Sequence, residues 1–156
     1  MAATHEFSES NGAEVVHDSI ANLNFGSNDS YELNTTTYPI IRGNASFEKY
    51  MRCKFSGIFT EISNMKFWKS AGVYVTGELC KAAANIAYVQ PSATPNADSD
   101  IPVVEGSALA IQAADGTLTI TVPGYTKYIR LQLQTTGTTP AGAVNQKTMT
   151  FQYDEI

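Results

Sequence analysis

The sequence predicts an all-β protein, an antiparallel β-sandwich of the jelly-roll-like kind. The clearest observation is Thr117–Gln134, where apolar residues stand at every second position on both sides of a turn at Gly124. A period of two places one set of side chains in a core and the other in water. Turn-forming residues also separate about eight to ten short strand-like segments, which is the spacing of an antiparallel sandwich. A closed barrel or an immunoglobulin-like sandwich is the alternative.

Length and composition favour a single domain without membrane or nucleic-acid partners. A chain of 156 residues can build one hydrophobic core. The net charge is −5 and only 16% of residues are charged. This balance argues against nucleic acid, because phosphate binding needs a clustered positive surface. No stretch approaches the roughly 18 consecutive apolar residues of a transmembrane helix, so no membrane partner is predicted.

The first 19 residues are polar and aperiodic, and they are predicted to form an extended N-terminal arm. Residues 20–156 are then the β-sandwich domain. Residues 1–32 carry acidic side chains and neither Lys nor Arg, whereas the segment from Arg42 to Lys69 is basic. Segments of opposite charge attract each other, either within one chain or between neighbouring copies.

Strand predictions in the first half of the chain depend on alternation and on the residues that interrupt it. Gly57 divides the longest apolar stretch into two strands or bends a single one. Met65, Phe67 and Trp68 fit neither period, so residues 64–70 are predicted as a loop or one helical turn. The predicted strands are Ile20–Phe25, Tyr38–Arg42, Phe47–Phe55 and Ile58–Ile62.

The second half of the chain follows the same two signals. Asp115-Gly116 is a strong hairpin signal, and Lys81–Ala84 is too short to nucleate a helix alone. Pro91–Pro102 and Thr135–Gln146 are predicted as surface loops because they are rich in turn-forming residues. The predicted strands are Gly72–Leu79, Ile86–Val89, Leu109–Gln112, Thr117–Val122, Lys127–Gln134 and Thr148–Tyr153, the last with Met149, Phe151 and Tyr153 on one face.

The sequence offers little reaction chemistry, so no catalytic residue and no cofactor is predicted. His5 and His17 are the only histidines, and both fall in the predicted arm. A flexible arm cannot hold an imidazole against a nucleophile. Cys53 and Cys80 match no zinc-binding spacing and are predicted to be buried thiols, with a disulfide as the alternative.

Carboxylates provide two further alternatives. Glu61 and Glu78 are the pair that a glycosidase or lyase would use, although both are predicted to be polar-face residues of half-buried strands. Asp98 and Asp100 alternate as calcium-binding carboxylates do. The other oxygen ligands that calcium requires are missing from any recognisable spacing, and no metal site is predicted.

Aromatic residues are the remaining candidates for contact with a ligand or a partner, and we single out Trp68, Tyr74, Tyr125 and Tyr128. Exposed aromatic rings stack on sugars in carbohydrate-binding sandwiches, although aromatic residues of strands are more often core or interface. Trp68 stands between Lys66 and Lys69 in an irregular segment. It is therefore the one predicted to be exposed.

Two segments resemble a known group of proteins. Trp68–Glu78 contains Gly-Val-Tyr-Val-Thr-Gly-Glu, and Pro123–Leu133 contains Tyr-Ile-Arg-Leu. The pattern resembles that of phage-borne jelly-roll modules, in which two such strands lie in facing sheets. The resemblance covers roughly residues 47–153 and implies a structural subunit of a tailed-phage virion. It implies no site residues, because capsid decoration proteins, fibre modules and carbohydrate-binding domains share the pattern.

The resulting prediction is a non-enzymatic protein of the virion, a capsid decoration or cement subunit. Its predicted partners are the major capsid protein or other virion proteins, and copies of itself in a homo-oligomer, with a trimer favoured. A charge-poor, strand-rich domain behind an acidic arm suits assembly with neighbouring subunits. A carbohydrate-binding module on a phage fibre or tail tip is the alternative, and a β-sandwich glycosidase or lyase is the third.

Overall fold

The computed structural model describes residues 2–142 and 145–156. They form two antiparallel β-sheets that pack face to face, so the predicted all-β sandwich is confirmed. A 3₁₀ turn lies at Glu105–Ser107, and no described helix has the length and apolarity needed to cross a membrane. The strands are β1 Thr4–Asn11, β2 Val15–His17, β3 Lys49–Ser56, β4 Ile62–Ala71, β5 Glu78–Ile86, β6 Ser99–Asp100, β7 Leu109–Ala110, β8 Gly124–Tyr125, β9 Tyr128–Thr135 and β10 Thr148–Glu155.

The two sheets differ in size. The large sheet has the order β2-β1-β3-β9-β5-β6, with β8 paired to β3. The small sheet has the order β10-β4-β7. Thr126 joins β8 to β9: its amide donates to the carbonyl of Cys53 at 2.8 Å, and its hydroxyl accepts from the Cys53 amide at 3.0 Å.

The core lies between the sheets, where the alternating strands place their apolar faces. Ile129, Leu131 and Leu133 of β9 are buried there, and burying each such side chain stabilises the fold by about 1.5–3 kcal/mol. Aromatic contacts join the two sheets. The ring centroids of Phe55 and Tyr153 are 4.9 Å apart with the rings nearly perpendicular.

The cleanest strand predictions are confirmed. Phe47–Phe55 contains β3 except Ser56, Lys127–Gln134 contains most of β9, and Thr148–Tyr153 lies within β10. Met149, Phe151 and Tyr153 pack against the core from one face of β10, as predicted. The Asp115-Gly116 turn also forms, since the Gly116 amide donates to the Ala113 carbonyl at 2.8 Å.

The predicted N-terminal arm is wrong, because Thr4–Asn11 is a strand inside the large sheet. β1 pairs with β3 from Thr4–Ser56 to Ser10–Tyr50 and with β2 on its other side. The segment is extended as expected, but the polar residues Ser8, Glu9 and Ser10 are buried and have hydrogen-bond partners. The Ser10 hydroxyl, for example, lies 2.9 Å from that of Tyr128. Residue 1 lies outside the described residues.

Two predicted strands in the next segment do not form. Ile20–Phe25 and Tyr38–Arg42 belong to a long covering segment between β2 and β3. Leu23 and Phe25 nevertheless pack against the core. The alternation in Ile20–Phe25 therefore reflects the packing of these two side chains against the core, and no described strand pairs with the segment.

The middle strands are displaced from their predicted positions. Residues 64–70, predicted as a loop or helical turn, belong to β4, and the pairing of β4 with β10 shifts register twice. A bulge breaks the alternation of side chains and hides a strand from a search for period two. One strand, β5, runs through Lys81–Ala84 between the predicted strands Gly72–Leu79 and Ile86–Val89. Ile58–Ile62 contributes only its last residue, to β4.

The predicted hairpin from Thr117 to Gln134 is wrong in its first half. Thr117–Val122 forms no strand and only Ile120 makes an isolated bridge, to Ile62. Only Leu109–Ala110 of the predicted strand Leu109–Gln112 is paired. The loop at Pro91–Pro102 contains the short strand β6. The loop predicted at Thr135–Gln146 is confirmed for residues 136–142, 145 and 146, and residues 143 and 144 lie outside the described residues.

Candidate binding sites

The structure brings only two of the four candidate aromatic residues together. Tyr125 and Tyr128 meet on the outer face of the large sheet, whereas Trp68 lies on β4 and Tyr74 precedes β5. The predicted exposure of Trp68 is wrong, because its segment is a strand of the sandwich and the side chain is 9% exposed. Tyr128 is buried as well, and Tyr125 is half-buried.

Arg52 of β3 lies between Tyr125 and Tyr128. Its guanidinium carbon is 3.9 Å from the ring centroid of Tyr125 and 4.7 Å from that of Tyr128. Each such cation–π contact is worth about 0.5–2 kcal/mol. The Nε atom of Arg52 is buried without a hydrogen-bond partner in the described chain. The chain's own cation therefore occupies one face of the ring that a sugar would use.

Acidic residues of the leading segment surround this cluster. The Tyr125 hydroxyl donates to Asp18 at 3.2 Å, and Nζ of Lys54 lies 2.7 Å from Asp18 and 3.2 Å from Glu6. The hydrogen bond from Lys54 lowers the pKa of Asp18, and the Ser19 hydroxyl followed by Lys54 lowers that of Glu6. Acidic and basic segments thus attract each other within one chain.

Tyr74 belongs to a second charged cluster. Nζ of Lys69 and Nζ of Lys147 lie 5.0 and 5.3 Å from its ring centroid. Its hydroxyl is buried without a hydrogen-bond partner among the described residues, and burial raises its pKa. Glu78 is buried on the same face of β5 as Cys80, which corrects its predicted place on a polar face. Lys147 compensates the Glu78 charge through an ion pair.

The carboxylates considered for catalysis and for calcium are separated or neutralised. Glu61 bonds to the backbone of Ile156, while Glu78 lies near Lys147 at the other end of β10, so about 30 Å of strand separates them. Glycoside cleavage needs carboxyl groups within about 10 Å of each other. Asp98 and Asp100 are instead each paired with a cation, at 2.6 Å from Arg130 and from Lys81 respectively. In the described ranges, no group of three or more His, Cys, Asp or Glu side chains could hold a metal ion.

Each histidine contacts an aromatic side chain, and both cysteines are buried. Nδ1 of His5 lies 3.1 Å from the Tyr153 hydroxyl, and the His17 ring stacks on another aromatic ring at 4.2 Å. Cys53 and Cys80 are free and buried, which confirms the prediction of buried thiols. Burial raises the pKa of each thiol to about 12, so neither forms the reactive thiolate near neutral pH.

A cleft of about 1090 Å³ lies between the sheets beside β10. We call it the β10 cleft. Met149 and Phe151 face the core but remain half-buried, because nothing in the described chain covers them fully on this side. Residues 20–25 and 35–42 contribute to the other wall. The apolar lining that the two sheets give to the β10 cleft comes from Phe7, Leu131 and Leu133 of the large sheet and Phe67, Met149 and Phe151 of the small sheet.

Few charged groups line the β10 cleft. Glu78 and Lys147 form an ion pair there, and Arg42 is an exposed cation. An apolar cleft with a few polar groups is the usual form of a binding site. Sequence reasoning missed this site, because the alternation of Ile20–Phe25 predicts a strand and does not show that the segment lacks a pairing partner. Comparisons with protein-family models, with curated proteins and with solved structures find no match to this chain.

Proposed function

We propose that the protein is a non-enzymatic structural subunit that binds other protein chains, and that it serves in a virion as a capsid decoration or cement subunit. The β10 cleft is the observation that carries the proposal. It leaves apolar core side chains such as Phe151 partly open to water. Contact with another chain would bury this surface, which is the main driving force of protein association.

The charged groups also favour binding over catalysis. Asp18 pairs with Lys54, Asp98 with Arg130, and Glu78 with Lys147. A general acid or base has to be available to a substrate within hydrogen-bond reach. Here the ionisable side chains hold strands and loops of the same chain together, which is a structural role.

Exposed aliphatic side chains at the other end of the sandwich add a second contact surface. The loop after β3, the loop before β8 and the C-terminal residue meet there, because Ile62 bridges Ile120 and the Glu61 amide donates to the Ile156 carbonyl at 3.0 Å. Two apolar surfaces at opposite ends suit a subunit that contacts more than one neighbour, whether the major capsid protein, another virion protein or a further copy in a homo-oligomer such as the favoured trimer. The exposed side chains are Ile58, Leu118, Val122 and Ile156.

A test of this function starts from virions purified from cultures that express the chain. We expect the chain in stoichiometric amounts, and we expect recombinant protein to rebind shells from which it has been stripped. Phe151→Asp should weaken rebinding because it places a charge in the β10 cleft, whereas Ala87→Asp, exposed and outside both apolar surfaces, is the matched control. Absence of the chain from virions, together with failure to bind stripped shells, would contradict the proposal.

A carbohydrate-binding module on a fibre or tail tip is the second candidate, and one observation favours it. The half-buried Tyr125 ring carries a hydroxyl 3.2 Å from the Asp18 carboxylate, and aromatic rings beside carboxylates bind sugars. A glycan array distinguishes the two candidates. Binding that is retained in Tyr125→Phe but lost in Tyr125→Ala would favour the carbohydrate module, and a silent array would count against it.

A further inference from the structure

The outer edge of β10 is unpaired. β10 pairs with β4 on one side, and no described residue forms backbone hydrogen bonds along its other side. Between its two register shifts, Met149–Gln152 pairs regularly with β4, so this part of the edge is straight. An exposed regular edge presents backbone N–H and C=O groups to a further strand. Met149 and Phe151 on this edge also line the β10 cleft.

The opposite wall of the cleft carries a second unpaired segment. Ile20–Phe25 has the alternation of a strand, and the Ile20 amide donates to the Phe7 carbonyl at 3.0 Å. The backbone of residues 21–25, however, forms no hydrogen bond with any other described residue. Buried backbone groups are nearly always paired, with protein or with water. Residues 21–25 and the outer edge of β10, neither of which pairs with a strand of the described chain, thus lie on either side of one apolar space.

We propose that the β10 cleft receives an extended segment of a different protein, which pairs with the free edge of β10. This inference rests on the proposed function, since it names how the subunit would hold a partner. Only a peptide backbone satisfies the hydrogen-bonding groups of a strand edge. In an extended segment, alternate side chains point the same way, so apolar residues at every second position would enter the cleft beside Phe7, Met149 and Phe151. An acidic residue of the segment would meet the exposed Arg42.

A second copy of this chain is a poorer donor of such a segment. Thr4–Asn11 is held between β2 and β3, and the Ile156 carbonyl accepts hydrogen bonds from Thr60 and Glu61 at 2.7 and 3.0 Å. A second copy would have to release one of its own strands in order to fill the cleft of its neighbour. A partner with an unpaired extended segment has no such cost.

Selection from a displayed library of random peptides of about ten residues, the length of a long strand, tests the inference. We expect enriched peptides with apolar residues at alternate positions and an acidic residue at one end. With a selected peptide bound, amide hydrogen exchange should slow in β10 and in residues 21–25. Methylation of alternate peptide amides should abolish binding when it removes the donors that face β10, and should have little effect on the other edge.

Blocking variants make the test specific to the cleft. Ala21→Trp places a large ring in the cleft from an exposed position, and it should weaken peptide binding more than about tenfold. Thr148→Trp blocks the cleft from the β10 side. Ala87→Trp, exposed and away from the cleft, is the matched control and should bind as the parent does. Arg42→Glu should change the selected end residue from acidic to basic.

Several results would overturn the inference. These are no enrichment, enriched peptides with apolar residues at helical spacing, or unchanged binding by both blocking variants. Protection of β10 amides that depends only on the concentration of the protein itself would replace the partner with a second copy. The outcome is separate from that of the proposed function. If the protein bound peptides but was absent from virions, the strand-binding site would be retained and the virion role rejected. If stripped shells rebound both blocking variants, the virion role would be retained and the strand-binding site rejected.

Discussion

The two sheets of this sandwich end in different ways. The large sheet ends on each side in a short strand, β2 and β6, of three and two residues, and each pairs with part of the strand beside it. The small sheet has a two-residue strand at one side, but at the other side it ends in β10, which is eight residues long. Short edge strands limit pairing with other chains, whereas a long edge invites it. This difference supports the proposal that a partner would bind at the small sheet.

The two sheets also differ in the side chains that they bury and in those that they leave partly exposed. The large sheet buries charged and polar side chains and gives most of them a partner, as in the 2.6 Å ion pair between Lys49 and Glu9; Asn11 Oδ1 and Arg52 Nε are exceptions among the described residues. Gln132 of the same sheet is fully buried and donates to the carbonyls of Ser46 and Thr94. The β10 side leaves apolar groups half-exposed instead. Association with another chain would cover this exposed apolar surface.

Removal of residues 2–11 should have the largest effect on the stability of the protein. The deletion takes away β1, which lies between β2 and β3 of the large sheet. We expect the loss to exceed the roughly 5–15 kcal/mol by which a domain is stable, so the truncated chain should not fold. Circular dichroism during thermal unfolding is the measurement, with a chain that lacks only residues 2 and 3 as control. A cooperative transition close to that of the full chain would show that the large sheet does not depend on β1.

Loss of one buried charge partner in the large sheet should come next. Lys49→Ala leaves Glu9 buried without its cation, and removal of one partner from a buried pair costs about 3–5 kcal/mol. Unfolding in urea measures the change. Lys66→Ala is the control, because its contact with Glu105 is exposed and 3.7 Å long, and such pairs contribute about 0–1 kcal/mol. Equal effects of the two substitutions would remove the contrast between buried and exposed pairs.

Two phenylalanines compare the sheets directly. Phe55 of the large sheet is fully buried, so Phe55→Ala should cost about 3–5 kcal/mol. Phe151 of β10 is half-buried, and Phe151→Ala should cost roughly half as much because less apolar surface is covered. Urea unfolding of both variants gives the comparison. If Phe151→Ala cost as much as Phe55→Ala, the β10 side would be as well packed as the large sheet.

The buried thiols of the large sheet give an effect that depends on pH and is absent near neutral pH. Burial raises the pKa of Cys53 and Cys80 from 9.0 to about 12. The folded chain therefore holds these protons more tightly than the unfolded chain, so their contribution to stability is complete below pH 9 and is lost as the pH rises from 9 towards 12.

The expected slope is at most about 1.4 kcal/mol per pH unit for each thiol. Urea unfolding between pH 8 and pH 11 measures it, and Cys80→Ala should reduce the slope. Thiol reagents should label both cysteines slowly at about pH 8 until the chain unfolds. Rapid labelling of the native protein would show that the large sheet opens more readily than the burial of these thiols indicates.

Sequence reasoning succeeded where apolar residues that face the core alternate with polar or aromatic residues along a strand. β3, β9 and β10 satisfy this condition, and their alternation predicted both their position and the apolar face of β10. It failed for β1, where the buried residues Ser8, Glu9 and Ser10 are polar. A polar residue can be buried when a partner satisfies it, and the partner of Ser10 is Tyr128. Tyr128 is far from Ser10 in the sequence, so no local pattern predicts this contact.

The binding sites were less accessible to sequence reasoning. Tyr125 and Tyr128 were singled out as candidates from the sequence, but Arg52 between them was missed, because only the pairing of β3 with β8 and β9 brings the three together. Ile20–Phe25 alternates as a strand does and packs against the core, yet pairs with nothing. Alternation reports which side chains are buried, and it does not report whether a neighbouring strand exists.

The amino-acid sequence by itself determined the all-β sandwich class, three of its long strands and the burial of its two cysteines. These features follow from the local order of apolar and polar residues. Tertiary structure alone decided that the acidic leading segment is part of a sheet, that its carboxylates meet Lys49 and Lys54, and that β10 has an open edge beside a cleft. Those outcomes depend on groups distant in the chain, since Glu9 and Lys49 are 40 residues apart and are brought together only when their own strands, β1 and β3, pair.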